Sequence, residues 1–182
     1  MKISSIKPAS GRQLLLFDRP LGNHGHRRFI IGNLTEELMA CLLNANRHKL
    51  DSSCDYCPDL SIESLFIECK ASGRNKETFI YQGRLEKDRE FSKSHNLMYA
   101  ILHHTTNTLL SDTVEELETD FLMSIQCLYL VPFEVIDNIA SSLPEEKLNS
   151  KYGRHANGQL YGSGVRIRLS MIENWKFMEW EN

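Results

Sequence analysis

Apolar residues along this chain recur in two periods, and the switches between them mark out the elements. "RQLLLFD" (12–18) and "RRFII" (27–31) are short apolar runs of strand length around the polar turn "RPLGNHGH". "NLTEELMACLLNANRHK" (33–49) has helical spacing: Asn33 stands as a cap, Glu36 at the third helical position, and Leu34, Leu38, Cys41, Leu42 and Ala45 form a stripe. Residues 54–62 and 65–71 form two apolar runs that predict a hairpin, and the polar "ETFIYQGRLEKDREFSKSH" (77–95) predicts a helix interrupted by Gly83. "LMYAILHH" (97–104) and "FLMSIQCLYLV" (121–131) predict strands, with the acidic "DTVEELETD" (112–120) as the loop between them. A helix is expected after Pro132, a glycine-rich loop over 152–164 and an exposed or edge strand at "VRIRLS" (165–170). A last helix, "MIENWKFMEW", would be capped by Ser170 and Glu173. Helix, hairpin, helix, strand, strand and helix in this order describe an α/β or α+β domain with a mixed central sheet flanked by helices.

The hairpin carries the chemistry. With its turn at Glu63 and Ser64, antiparallel pairing sets Ile62 against Leu65, Ser61 against Phe66, Leu60 against Ile67 and Asp59 against Glu68. Leu60, Ile62, Leu65, Ile67 and Cys69 then share the core face, and Asp59, Ser61, Phe66, Glu68 and Lys70 the other. This register places two carboxylates side by side with Cβ atoms ~4.5–5.5 Å apart, which is unfavourable unless something compensates. Lys70, on the same face, is one compensator, and a divalent cation between the carboxylates is another. Hard oxygen ligands suit Mg²⁺ or Mn²⁺, which take one or two protein carboxylates plus substrate phosphate. Such an ion polarises a phosphoryl oxygen and acidifies bound water while Lys70 orients the nucleophile or stabilises developing charge, which is the chemistry of phosphodiester hydrolysis. Pro58 cannot donate to the ladder, so a bend is expected beside Asp59. A plain surface hairpin with a Glu-Lys pair accounts for the same residues without chemistry.

Length and composition set the frame. A chain of 182 residues suits one domain, and 41% hydrophobic with 25% charged residues are the values of a soluble globular protein without a membrane span. "MKISSIKPASGRQ" lacks the apolar region of a secretory signal, so a cytoplasmic location is expected. Five cysteines at irregular spacing (Cys41, Cys54, Cys57, Cys69, Cys127) then default to reduced thiols. The net charge of −3 conceals an uneven distribution: residues 112–120 hold five acidic side chains and no basic one, leaving the rest of the chain net basic. A local basic surface, or scattered solvated cations, fits that distribution equally well.

At the hairpin the sequence resembles the PD-(D/E)XK nuclease superfamily, the restriction-endonuclease-like fold. Pro58-Asp59 corresponds to the PD half, and Glu68-Cys69-Lys70, preceded by the apolar Leu65-Phe66-Ile67, to the (D/E)XK half. The resemblance extends over roughly residues 30–142, although its specific part is five residues. It implies a Mg²⁺-dependent DNA endonuclease, with Mn²⁺ as a substitute ion, cutting duplex DNA as part of a restriction system. Asp59, Glu68 and the Cys69 backbone carbonyl would bind metal, and Asp59, Glu68 and Lys70 would be catalytic. Glu36 and Glu37 are candidates for a further acidic ligand, with Glu37 preferred because it lies nearer the border of the apolar stripe; an ordinary first-turn glutamate is the plainer account. Tyr81 and Gln82 stand where members of the family place a glutamine or tyrosine, without the fuller QxxxY spacing. A homodimer is expected from the need to cut two strands. A junction resolvase, a phage recombination nuclease and a non-catalytic DNA-binding domain are the alternatives within the fold.

The remaining constellations are weaker. Arg74, Lys76, Gln82, Arg154, Asn157, Gln159, Tyr161, Arg166 and Arg168 are candidate DNA contacts, several of them in the glycine-rich loop, where Arg and Asn or Gln suit base edges. "CDYC" (54–57) supplies two of the four ligands a structural zinc needs; with only Cys41, Cys69 or His48 as helpers zinc is not expected, and a small zinc-dependent regulator is the distant alternative. His24 with His26 suits a mobile loop, and His103 with His104 ends an apolar strand facing opposite ways. Trp175 and Trp180 suit core or dimer contacts. The chain is expected to be one nuclease-like domain, 1–182, with 152–182 as a DNA-contact or dimerisation extension.

Overall fold

The computed structural model describes residues 24–48, 56–107, 111–147 and 162–180. In chain order the elements are α1 (His24–Leu43), β1 (Asn46–Arg47), β2 (Leu60–Ile62), β3 (Leu65–Ser72), β4 (Glu77–Tyr81), α2 (Gln82–Ser92) and β5 (Asn96–His104). They continue with α3 (Val114–Met123), β6 (Ile125–Pro132), α4 (Phe133–Ser142), β7 (Glu146–Lys147), β8 (Ser163–Arg168) and β9 (Lys176–Glu179). The architecture is α/β: a mixed six-stranded sheet in the order β1-β2-β3-β5-β6-β9, with β4-β8-β7 as a second, antiparallel sheet. Only the β3–β5 pairing in the large sheet is parallel, so the chain between them must cross over, and α2 supplies the crossover.

Both faces of the large sheet are covered, and two apolar clusters result. On one face Leu60, Ile67, Cys69, Ala100, Leu102 and Leu128 meet α1 and α3. Helix α1 contributes Ile30, Ile31, Leu34, Leu38 and Met39, one stripe at helical spacing. On the other face Leu97, Tyr99, Ile101, Tyr129 and Val131 meet Leu85 of α2, Phe133 and Ile136 of α4, and Ile80, Val165 and Ile167 of the small sheet.

Several elements differ from the sequence-based expectation. "RRFII" is helical, because Ile30 and Ile31 extend the stripe of Leu34 and Leu38 backwards; α1 therefore begins at His24, and Asn33 lies inside it rather than capping it. The helix stops at Leu43, where Asn44 takes φ 50° and the Ala45 and Asn44 amides bond back to the Ala40 and Cys41 carbonyls, a Schellman end. Residues 77–95 begin as β4 before turning helical at Gln82. The acidic segment is α3: Thr113 and Glu116 form a reciprocal capping box, and Val114, Leu117 and Phe121 are its buried positions. That helix takes residues 121–123 from the expected strand, which starts at Ile125. Of the expected first hairpin strand, 54–62, only Leu60–Ile62 is strand among the described residues. The expected last helix is two single 3₁₀ turns followed by β9, which pairs with β6; Glu173 bonds Tyr129 and Lys176 instead of returning to Ser170. Residues 12–18 and the loop 152–161 lie outside the described residues.

The described residues beyond 142 contribute strands to both sheets. Strand β8 runs between β4 and β7, with Val165 and Ile167 inward and Arg166 and Arg168 outward, and β9 forms an edge of the large sheet. No helix among the described residues is long and apolar enough to cross a membrane.

Candidate active site

The hairpin forms in the expected register: Ile62 opposite Leu65, Ser61 opposite Phe66, Leu60 opposite Ile67. Glu63, at φ 51°, makes the two-residue turn with Ser64. The ladder ends at Leu60–Ile67, so Asp59 is not the strand partner of Glu68. It sits in a bend after Pro58, and its Oδ2 accepts the Cys69 N–H at 2.7 Å. The side chain thereby takes the place of the missing backbone partner at the open end of the hairpin. Along a strand a residue's N–H and C=O point to the same edge, so the Cys69 carbonyl lies on the edge that Asp59 occupies.

Glu68 follows the expected alternation but not the expected exposure. It faces away from α1, as Phe66 and Lys70 do, yet only 2% of it is accessible because α2 packs over this face. One carboxylate oxygen pairs with Lys70 Nζ and the other with Arg84 of α2. Burial pushes the Glu68 carboxyl up to about 7; Lys70 opposes this, and the nearby Asp59 charge reinforces it. Burial also works against the charge on Lys70, but Glu68 and Asp59 outweigh it and hold the ammonium above its ordinary value. The three residues of the expected site therefore act electrostatically as one group.

Four residues that the sequence did not single out complete it. Arg84 packs its guanidinium 4.4 Å over the Tyr56 ring, donates to the Tyr56 hydroxyl at 3.2 Å, and has Nε 3.2 Å from Asp88 one turn along α2. Asp88 is fully buried and accepts from both the Tyr56 and Tyr99 hydroxyls. Tyr99 lies directly opposite Glu68 in the β3–β5 register, and Lys70 Nζ stands 6.0 Å from the centre of its ring. The available signal was the spacing Arg84-Leu85-Asp88: a buried leucine flanked by an (i, i+4) ion pair directs charge toward the core.

The other candidates divide. Glu36 feels the charges of Asp59 and Lys70, and burial together with Asp59 raises its carboxyl above the ordinary range although Arg47 opposes this. Glu37 turns outward to Arg47 Nη1 at 3.0 Å and feels Glu118, so Glu36 and not Glu37 is the glutamate of α1 that borders the site. Gln82 reaches Glu86, Tyr81 is exposed, and Arg74 donates to the Thr105 carbonyl at 2.9 Å. Arg166 pairs with Glu77 and Glu146, and Arg168 with Glu77; Lys76 is exposed in the β3–β4 turn. Arg154, Asn157, Gln159 and Tyr161 lie outside the described residues, as does Cys54 of the CxxC pair. His48 bonds Ser61 Oγ at 2.8 Å, while Cys41 is exposed and Cys69 buried on the α1 side. His103 and His104 are both buried, and burial lowers both below the ordinary histidine value.

Among the described residues no three His, Cys, Asp or Glu side chains are grouped so as to hold a metal ion. The oxygen donors at hand are Asp59, with one oxygen on the Cys69 amide, Glu68, with its two oxygens paired to Lys70 and Arg84, and the Cys69 carbonyl on the adjoining edge. That set fits Mg²⁺, which keeps several waters and uses few protein ligands, and does not fit a closed zinc site. No family model matches the chain, and no curated protein matches it significantly.

Proposed function

We propose that the chain is a Mg²⁺-dependent DNA endonuclease with a restriction-endonuclease-like core. The observation that carries this reading is the joining of Asp59, Glu68 and Lys70 at the open end of one hairpin, with Asp59 fixed by the Cys69 amide. The order of α1, the β2–β3 hairpin, the α2 crossover and the parallel β5 supports the fold assignment.

In this reading Asp59, Glu68 and the Cys69 carbonyl would hold the cation, which would supply Lewis-acid polarisation of the phosphoryl oxygen and a more acidic water. Asp59 keeps its position because one oxygen is committed to the Cys69 N–H, leaving the other as a ligand. Lys70 directs its ammonium toward the developing negative charge and orients the attacking water. The water oxygen bonds to phosphorus as the P–O ester bond breaks; the water releases one proton to solvent and the leaving oxygen takes one up from solvent, so the proton count balances. Burial beneath α2 keeps bulk water from competing for the Glu68 carboxylate.

The test is conversion of supercoiled plasmid in Mg²⁺ against EDTA, with Lys70→Ala beside the parent chain. Cation-dependent nicking that Lys70→Ala abolishes is expected, and unchanged cutting by Lys70→Ala would reject the assignment. The closure of Glu68 between Lys70 and Arg84 favours a second reading, a DNA-binding domain without catalysis. Titration calorimetry separates the two: Mn²⁺ binding that Asp59→Asn abolishes belongs to the enzyme, and no Mn²⁺ binding to the binding domain. Duplex cleavage by a homodimer is part of the first reading, and a panel of duplex, four-way and single-stranded substrates distinguishes it from a junction resolvase or a recombination nuclease.

A further inference from the structure

The group beneath α2 is not charge-balanced. With Glu68 ionised, Asp59, Glu68 and Asp88 bring three negative charges and Lys70 and Arg84 two positive ones, while Glu36 lies outside the group and shares Arg47 with Glu37. Buried charge is stable only when it is paired. One divalent cation on Asp59 and Glu68 turns the surplus from one negative to one positive, and a phosphodiester monoanion then brings the sum to zero. A cation and one phosphate are thus the smallest pair of ligands that completes the group.

Of the two cations, Arg84 is the one built to meet that phosphate. Its planar fork matches two phosphate oxygens, whereas an ammonium offers a point charge. It comes from α2, a different element from the carboxylates, and is held from behind by Asp88 and by the Tyr56 ring, neither of which depends on Glu68. Its Nε is buried 3.2 Å from Asp88 Oδ1 but out of line for a hydrogen bond, so the present pose holds that donor by charge alone. About a quarter of its side chain remains accessible, enough to be reached from outside.

We propose that Arg84 binds the scissile phosphate of DNA, giving up Glu68 for a non-bridging phosphate oxygen when a divalent cation takes the carboxylates. This rests on the nuclease reading of the same residues. Arg84 is then the switch that couples cation loading to substrate capture: without the ion it blocks Glu68, and with the ion it is released toward the DNA.

The experiment measures anisotropy of a labelled DNA duplex with the full chain in Ca²⁺ and in EDTA, over salt from about 50 to 200 mM. Expected are tighter binding in Ca²⁺, its loss in Asp59→Asn, and in Arg84→Gln an affinity about tenfold weaker with a salt slope smaller by about 0.9. A purely structural arginine would lower the melting temperature of Arg84→Gln and leave the slope unchanged, and that result overturns the inference. Should Arg84→Gln not fold, Arg84→Lys keeps the charge and loses the fork; several-fold weaker binding at an unchanged slope supports the inference, and parental affinity overturns it. If the parent chain and Asp59→Asn bind DNA equally in Ca²⁺ and EDTA, the nuclease reading itself fails. If Ca²⁺-dependent binding is lost in Asp59→Asn but Arg84→Gln behaves as the parent, only the role of Arg84 fails.

Discussion

The Asp59 carboxylate accepts the Cys69 amide at 2.7 Å, so one side chain closes the hairpin and faces the candidate cation site. The two duties can be separated. Asp59→Ala leaves a half-buried amide unpaired at the end of the ladder and should cost about 1–3 kcal/mol in urea denaturation. Asp59→Asn keeps an acceptor oxygen and should stay within about 1 kcal/mol of the parent, yet lose cation-dependent cleavage as completely as the alanine variant. Cleavage surviving in Asp59→Asn would mean that the residue only closes the hairpin.

Glu68 gives two pH trends of opposite sign. Its folded pKa of about 7 lies above the ordinary value of 4.5, so the folded chain holds this proton more tightly than the unfolded one. The stability this contributes is fully present below the ordinary value and is lost as pH rises through about 7. In the proposed nuclease the ionised carboxylate is the ligand form, so without saturating cation the cleavage rate is expected to rise through the same interval. Added Mg²⁺ favours the carboxylate and should move the rate midpoint to lower pH. A pH–rate profile at two Mg²⁺ concentrations checks this, and a midpoint that ignores the ion would remove Glu68 from the ligand set.

The hairpin register was legible because the turn at Glu63-Ser64 is bracketed by apolar runs whose alternation allows one pairing. Burial of Glu68 was not, since alternation says which residues share a face and not what covers it; α2 covers this one. The same limit hid Arg84, Asp88, Tyr56 and Tyr99, which meet Glu68 only through the crossover and the parallel pairing with β5. Helix α1 was read too short because Ile30 and Ile31 follow two arginines and look like a strand in isolation. The acidic segment was read as a loop because its charges outweighed a capping box and three apolar positions. Strand β9 owes its form to pairing with β6, a long-range contact that overrides local propensity.

Gly164 is the tightest glycine contact among the described residues. A Cβ there would stand 2.4 Å from the Ile80 carbonyl oxygen and 2.6 Å from the Phe79 ring, on the β4–β8 pairing. The ring could turn aside, but the carbonyl belongs to the ladder, so the strands themselves must part. Gly164→Ala is therefore expected to cost about 3 kcal/mol, the upper part of the range for overpacking. Guanidinium denaturation of the variant reads this directly, and a loss below about 0.5 kcal/mol would show that the strands are not held so closely.

Acid should destabilise the far end of β5. His104 is buried edge-on against Phe121 with Nδ1 2.9 Å from Thr106 Oγ1, and burial, helped by neighbouring His103, lowers it to about 4. His103 is lowered as well, by burial and by Lys76, while its Nδ1 donates to the Ser72 carbonyl. For a histidine with a depressed folded pKa the unfolded chain binds more protons, so the stability is present above the ordinary value and is lost as pH falls toward about 4. The His104 shift corresponds to a loss on the order of 3 kcal/mol. His104→Gln removes the titration and keeps a polar partner for Thr106, at a cost of about 1–2 kcal/mol from lost packing on Phe121 at pH 8. Urea denaturation at pH 8 and at about pH 4 should therefore show the variant less stable than the parent at the higher pH and equal or better at the lower. Parallel stability curves for the two proteins would mean that His104 does not carry the acid sensitivity, leaving His103 as the group to replace next.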